Sequence, residues 1–229
     1  MAILRKLSIS RVATRLDKPF AMINVARVGD IVLSVYLCQG ALEWHRHLDN
    51  DELFWVHEGT ILLESDWGRV RLRSGELSVV PKGIKHRSSA GSRASVLLLR
   101  CGFFPGRKNG RRRLYSADSA RKQRRVSLQR VVRSLSSPFT FRTVAWVEDS
   151  VVQAAWGQGT WPVEIPTSRD VLFFVLKGTA TVRTSESMLH LHPGDLTVAP
   201  KGAIYQLSTT QETGLVRVTR EDEQKRPAP

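Results

Sequence analysis

A single offset organises this chain of 229 residues. In the first half, Gly59 is followed by fifteen residues and then by Gly75-Glu-Leu-Ser-Val-Val-Pro81-Lys-Gly83-Ile-Lys-His86. In the second half, Gly178 is followed by fifteen residues and then by Gly194-Asp-Leu-Thr-Val-Ala-Pro200-Lys-Gly202-Ala-Ile-Tyr205. Every landmark returns 119 positions later, so the chain carries two copies of one fold. The repeated piece reads as strands. Leu53–His57 and Leu172–Leu176 are apolar runs, each closed by a glycine turn. Strands near Val70–Leu72 and Thr181–Arg183 follow, then Leu77–Val80 and Leu196–Ala199. These last two end at Pro-Lys-Gly, where proline fixes φ and glycine supplies a positive φ. Short strands at this spacing predict a mostly β chain of two tandem sandwiches or barrels.

The net charge of +14 is not spread evenly. Between Phe103 and Arg142 stand twelve Lys/Arg against the single acid Asp118, a surplus of eleven that leaves three for the rest. The stretch 103–140 therefore reads as a basic connector between the two copies. A helix is expected within it over about Ser119–Leu135, where Leu128, Val131, Val132 and Leu135 fall at i, i+3, i+4 and i+7. Pro138 lies past its end. The connector has no helix-turn-helix pattern, no zinc-finger spacing and few aromatics for stacking, so nucleic acid is not the expected partner.

No apolar run approaches the roughly 20 residues that span a bilayer, and no membrane association is expected. The two cysteines, Cys38 and Cys101, are not in a CxxC spacing, which points to a reducing compartment and a cytoplasmic protein. The first twenty residues are rich in Arg and Ser and poor in acids. That matches a transit peptide in composition, but the simpler expectation is a disordered or strand-forming leader.

The chemistry lies at Trp44-His45-Arg-His47-Leu-Asp-Asn-Asp-Glu52. Two histidines at i and i+2 of an extended segment point the same way, so both imidazoles can reach one ion. A turn then brings back Glu52, and His86 arrives from beyond the Pro81-Lys-Gly83 turn. Three imidazoles and a carboxylate suit a borderline divalent metal: Fe(II), Mn(II), Ni(II), Cu(II) or Zn(II). Four protein ligands leave open positions on an octahedral ion, as catalysis needs. By strand parity His57 faces the other way, and the second HxH, His190 and His192, falls where no site is expected.

These residues resemble the motifs of the cupin superfamily. Its first motif, G-x5-H-x-H-x(3,4)-E-x6-G, is matched by His45, His47, Glu52 and Gly59, with the leading Gly40 one residue too close. Its second, G-x5-P-x-G-x2-H-x3-N, is matched by Gly75, Pro81, Gly83 and His86, with Ala90 in place of asparagine. The first half is similar to the small cupins called mannose-6-phosphate-isomerase-like, and Asp51–Gly59 is similar to homogentisate dioxygenases. The resemblance implies two jelly-roll barrels, a metal-binding cupin over 1–102 and a second over 141–229. The second copy lacks the ligands: Glu164, Pro166, Val171 and Tyr205 stand where His45, His47, Glu52 and His86 stand in the first. It is expected to be a structural partner packed like the second subunit of a cupin dimer, or a barrel that takes a small effector. Whether barrels pair within one chain or across a homodimer is left open.

The expected function is that of a metal-dependent enzyme, foremost an Fe(II) dioxygenase acting on a small oxygen- or carboxylate-bearing substrate. Zn(II), Mn(II) or Ni(II) in a non-oxidative isomerase or lyase, or a small-ligand-binding regulatory cupin, are the alternatives. By parity the expected pocket residues are Glu43, Phe54 and Val56, with Arg71 or Arg73 as a carboxylate clamp.

Overall fold

The computed structural model describes residues 4–102, 122–161 and 169–221. The basic loop, the expected helix start at Ser119, and Glu164 and Pro166 lie outside these residues. The first repeat runs β1 (Leu7–Ser8), α1 (Ile9–Ala13), β2 (Met22–Val28), β3 (Ile31–Ala41), β4 (Glu52–Glu58), β5 (Thr60–Ser65), β6 (Gly68–Arg73), β7 (Glu76–Val80) and β8 (His86–Cys101). The second runs β9 (Val126–Ser127), α2 (Leu128–Arg133), β10 (Arg142–Val147), β11 (Ser150–Thr160), β12 (Val171–Lys177), β13 (Ala180–Arg183), β14 (Met188–Leu191), β15 (Asp195–Ala199) and β16 (Gln206–Arg220). The fold is mostly β, as the repeat predicts.

Two antiparallel sheets of eight strands result. One has the order β2-β3-β8-β4-β7-β9, with the β5–β6 hairpin attached through β8. The other has the order β10-β11-β16-β12-β15-β1, with β13–β14 attached through β16. Each sheet ends on a two-residue strand from the other repeat. Leu7 pairs with Leu196 and Ser8 with Asp195. In the same way Val126 pairs with Leu77 and Ser127 with Glu76. Among the described residues, one compact unit is therefore 11–26, 30–102 and 122–127, and the other is 4–10, 27–29, 128–161 and 169–221. The units cross the boundaries expected at 102 and 140.

The same exchange decides between two expectations and corrects a third. From Leu4 on the opening segment takes the strand-forming alternative, because Leu4 is buried in the core of the second unit and β1 belongs to its sheet. The helix expected from Ser119 starts only at Leu128. Ahead of it the chain is extended, since Gln123 donates its backbone N–H to the Trp67 carbonyl and Val126–Ser127 complete a sheet edge. Helix periodicity does mark the inward face from Leu128 on: Leu128, Val132 and Leu135 are buried. Leu7–Phe20 and Val126–Phe139 are themselves copies at the same offset, sharing Ser, Arg, Val, Leu, Pro and Phe at 8/127, 11/130, 12/131, 16/135, 19/138 and 20/139. Phe20 and Phe139 both take positive φ, 60° and 55°, and each is pinned by its N–H donating at 2.7 Å, to the Leu37 and Trp156 carbonyls.

Alternation builds each interior. In β5, Ile61 and Leu63 point inward and are fully buried, joining Leu72 of β6 and Val96 and Leu98 of β8 in the core of the first unit. Each such side chain contributes about 1.5–3 kcal/mol on burial. Gly59 (φ 85°) and its counterpart Gly178 (φ 80°) let the backbone approach β8 and β16 closely. A Cβ on Gly59 would sit 2.8 Å from that of Ala94, and one on Gly178 2.6 Å from Thr213 Oγ1. Among the described residues no helix is long and apolar enough to cross a membrane.

Candidate metal centre

Backbone pairing places the first two rings. His45 and His86 form an antiparallel bridge, the His45 N–H donating to the His86 carbonyl at 3.1 Å and the His86 N–H to the His45 carbonyl at 2.8 Å. Their ring centroids are 4.5 Å apart. Two residues on, His47 accepts the Gly83 N–H at its carbonyl (2.7 Å), which ties its segment to the Pro-Lys-Gly turn. Asp51 locks the next turn by accepting the Lys82 N–H at 3.0 Å. Glu52 then opens β4, opposite Val80 of β7 and Arg100 of β8. One ligand atom from each of His45, His47, Glu52 and His86 lies within 4.8 Å of all the others.

The donor set fits a divalent ion. His45 donates Nδ1–H to the Glu43 carbonyl (2.8 Å), and His86 donates Nδ1–H to the Ile84 carbonyl (3.0 Å). A carbonyl only accepts, so both rings turn an Nε2 lone pair into the cluster. His86 Nε2 lies 3.0 Å from Oε2 of Glu52, and His47 Nε2 lies 3.3 Å from Oε1. A lone pair on His86 Nε2 facing a carboxylate at that distance needs a cation between them, either a proton on the ring or a metal ion. Glu52 and His86 are buried, whereas the His47 side chain keeps 31% of its surface, so the cluster opens to solvent on one side.

A cupin-domain family model matches residues 35–99. The chain is 31% identical over 78 residues to the uncharacterized protein YdbB of Bacillus subtilis, covering 34% of this chain and 69% of that protein. The chain belongs to the cupin superfamily. At the level of fold, the cupin 2 conserved barrel protein of Leptotrichia buccalis superposes with a TM-score of 0.70 at 10% identity, covering 95% of this chain and 96% of that one. A salicylate 1,2-dioxygenase of Pseudaminobacter salicylatoxidans does so with a TM-score of 0.71 at 12% identity, covering 96% and 84%.

The electrostatics of this cupin's cluster suit ligation. Burial would raise the Glu52 carboxyl, but its hydrogen bond with His86 and the charges of His47, His86 and Arg100 carry it below its ordinary value. His47 is also lowered, first by burial and further by His45, His86 and Arg100, against the pull of Glu52. A neutral imidazole and an ionised carboxylate are the metal-binding forms. Burial holds the Tyr36 phenol well above its ordinary pKa, so this interior hydroxyl is a donor, bonded to Ser88 Oγ at 3.2 Å.

The residues expected around the cluster from strand parity take different places. Phe54 and Val56 do face the interior, with the Phe54 ring 5.7 Å from that of His86. Glu43 is exposed, and its contribution is the carbonyl that orients His45. Arg71 and Arg73 need correction: both are exposed on β6, on the face opposite the buried Leu72, so neither clamps anything inside the barrel. The cation at the cluster is Arg100, whose Nη1 is 3.7 Å from Glu52 Oε1. Sequence parity could not find it, because only the β4–β8 register places Arg100 opposite Glu52. At the rim, the Arg87 guanidinium lies 5.0 Å from the ring centroid of the exposed Trp44. In the second repeat Val171 and Tyr205 are buried apolar and aromatic wall. His190 is exposed, its ring 3.1 Å from the Thr181 hydroxyl, and His192 is exposed too.

Proposed function

We propose that this cupin is an Fe(II) dioxygenase that inserts both atoms of O2 into a small carboxylate-bearing substrate. The observation that carries the reading is the convergence of His45, His47 and His86 on a buried, ionised Glu52, with the His45 and His86 Nδ1–H groups tied to carbonyls, in a cluster open on its His47 side. Iron bound there would supply a site for O2 and for a chelating oxygen of the substrate. The fold likeness to a salicylate 1,2-dioxygenase supports the reading. Arg100 offers a guanidinium beside the cluster to orient a substrate carboxylate. Phe54 and Val56 form an apolar floor that excludes water. The carbonyls of Glu43 and Ile84 hold the His45 and His86 rings in one tautomer throughout. Both cysteines are free thiols, which supports a cytoplasmic setting.

The test is elemental analysis of the purified protein, followed by oxygen-electrode assays after anaerobic Fe(II) loading. About one iron per chain and O2 uptake on adding catechol, gentisate or salicylate is the expected result. Zinc or manganese with no O2 uptake on any of the three would replace the reading with an isomerase or lyase. No bound metal would leave a ligand-binding barrel.

A further inference from the structure

The second barrel has lost the ligand set, but its interior has not become uniformly apolar. Across its sheet the residues Thr197, Phe173, Arg217, Gln153 and Thr143 form one row of directly opposed partners. Directly opposed residues share a face, and Phe173 belongs to the barrel core, so the row faces inward. The first barrel has Ser78, Phe54, Leu98, Ser34 and Asn24 at the same five places. The second repeat therefore sets a guanidinium where the first has a buried leucine, and an amide where the first has a small hydroxyl.

Aromatic rings surround that guanidinium. Its carbon lies 4.2 Å from the Phe141 ring centroid and 5.4 Å from that of Trp161. Gln153 Oε1 accepts from its Nε at 2.9 Å, which fixes the plane of the fork. Trp161 stacks on Phe139 at 6.1 Å and meets Phe173 edge to face at 6.2 Å. Phe173 in turn meets Tyr205, the residue at the His86 position, at 5.3 Å. Phe139, Phe141, Trp161 and Arg217 are only part-buried, so this end of the box reaches solvent.

Two hydroxyls give independent support. Among the described residues, Thr197 Oγ1 and Thr209 Oγ1 are buried and make no hydrogen bond. Thr197 lies beside Phe173 in the inward row, and Thr209 shares the face of the core residue Leu207, two positions away. A buried hydroxyl without a partner is costly and needs an explanation.

We infer that the second barrel is a binding site for a small aromatic carboxylate, distinct from the metal centre. The carboxylate is recognised by the Arg217 fork, the planar body by Trp161, Phe141 and Phe173, and ring substituents by the Thr197 and Thr209 hydroxyls. The Gln153 amide holds Arg217 in place and is a positioning residue.

Sodium benzoate titrated calorimetrically into the EDTA-stripped full-length protein, and into its His86→Ala variant, tests this. The expected result is about one benzoate per chain in both, weakened tenfold or more in Arg217→Leu, which copies the first barrel's residue. Benzamide, which is isosteric but neutral, should also bind at least about tenfold more weakly to the unmodified protein. That comparison stands even if Arg217→Leu fails to fold. Absence of benzoate binding, equal binding of benzamide, loss of binding in His86→Ala alone, or undiminished binding in a folded Arg217→Leu would each overturn the assignment.

Discussion

Arg100 lies directly across the β4–β8 ladder from Glu52, its Nη1 3.7 Å from Oε1. The Arg100 side chain keeps 37% of its surface, so it can meet an incoming anion without first leaving the protein interior. Solvent screening keeps its pairing with Glu52 modest, and its larger effect falls on the substrate. Arg100→Gln should raise KM for a carboxylate substrate about tenfold with little change in kcat, the pattern of lost uniform binding. Steady-state O2 uptake measures both constants. A fall in kcat at unchanged KM would remove Arg100 from substrate recognition.

His86 is buried and joins the barrel through backbone hydrogen bonds to His45 that survive truncation of its ring. His86→Ala should therefore lose metal affinity by at least about 100-fold while keeping the β-sheet circular dichroism of the parent. His47→Ala should behave alike, with less effect on stability because its ring is part-exposed. Unchanged metal content in either purified variant would refute the ligand assignment.

Glu52 in the metal-free protein titrates below its ordinary value of 4.5 because His86, His47 and Arg100 outweigh its burial. A carboxyl that binds its proton less readily folded than unfolded stabilises the fold above the unfolded pKa, and that contribution fades as pH falls through the folded value. Removing metal with EDTA and comparing the parent with Glu52→Gln should show the variant less stable at pH 7. The gap should close as pH drops below 4.5. A gap that is constant from pH 7 to pH 3 in urea titrations would contradict this.

Cys38 is fully buried beside Ser88, and burial pushes its thiol up to about 11, against the opposing effect of the Ser88 hydroxyl. The thiolate is the reactive form. Iodoacetamide at pH 8 should leave Cys38 unmodified in the native protein and label it once the protein is unfolded, as read by peptide mass spectrometry. The same raised pKa stabilises the fold below the ordinary thiol value of 9.0, and this is lost as pH climbs toward 11.

Gln123 is buried at the end of the first barrel. It accepts from Ser65 Oγ at 2.8 Å and donates to Ser78 Oγ at 2.6 Å and the Val79 carbonyl at 2.8 Å. Its counterpart in the other unit is Leu4. Gln123→Leu should cost about 2 kcal/mol, because it removes three buried hydrogen bonds at once. Chemical denaturation measures the difference. A variant as stable as the parent would show that this plug does not hold the barrel end.

What could be read from the chain alone was whatever depends on short separations or on a fixed offset. Strand parity brought His45 and His47 to one side, a turn of known length returned Glu52, and the Pro-Lys-Gly turn aimed His86. The 119-residue repeat doubled the architecture and showed which copy had lost its ligands. Even the matching Leu7–Phe20 and Val126–Phe139 segments were present in the letters, although their basic composition alone does not show that each completes a sheet edge. Tertiary structure decided everything that rests on pairing between distant strands. The exchange of β1 and β9 between sheets satisfies edge hydrogen bonds that no local pattern announces. Arg100 rather than Arg71 or Arg73 attends the histidine–glutamate cluster, and Arg217 rather than a leucine joins the inward row of the second sheet, because register sets what stands opposite Glu52 and Phe173. A side chain's face follows from its own strand, but its neighbours across the sheet follow only from how distant strands pair.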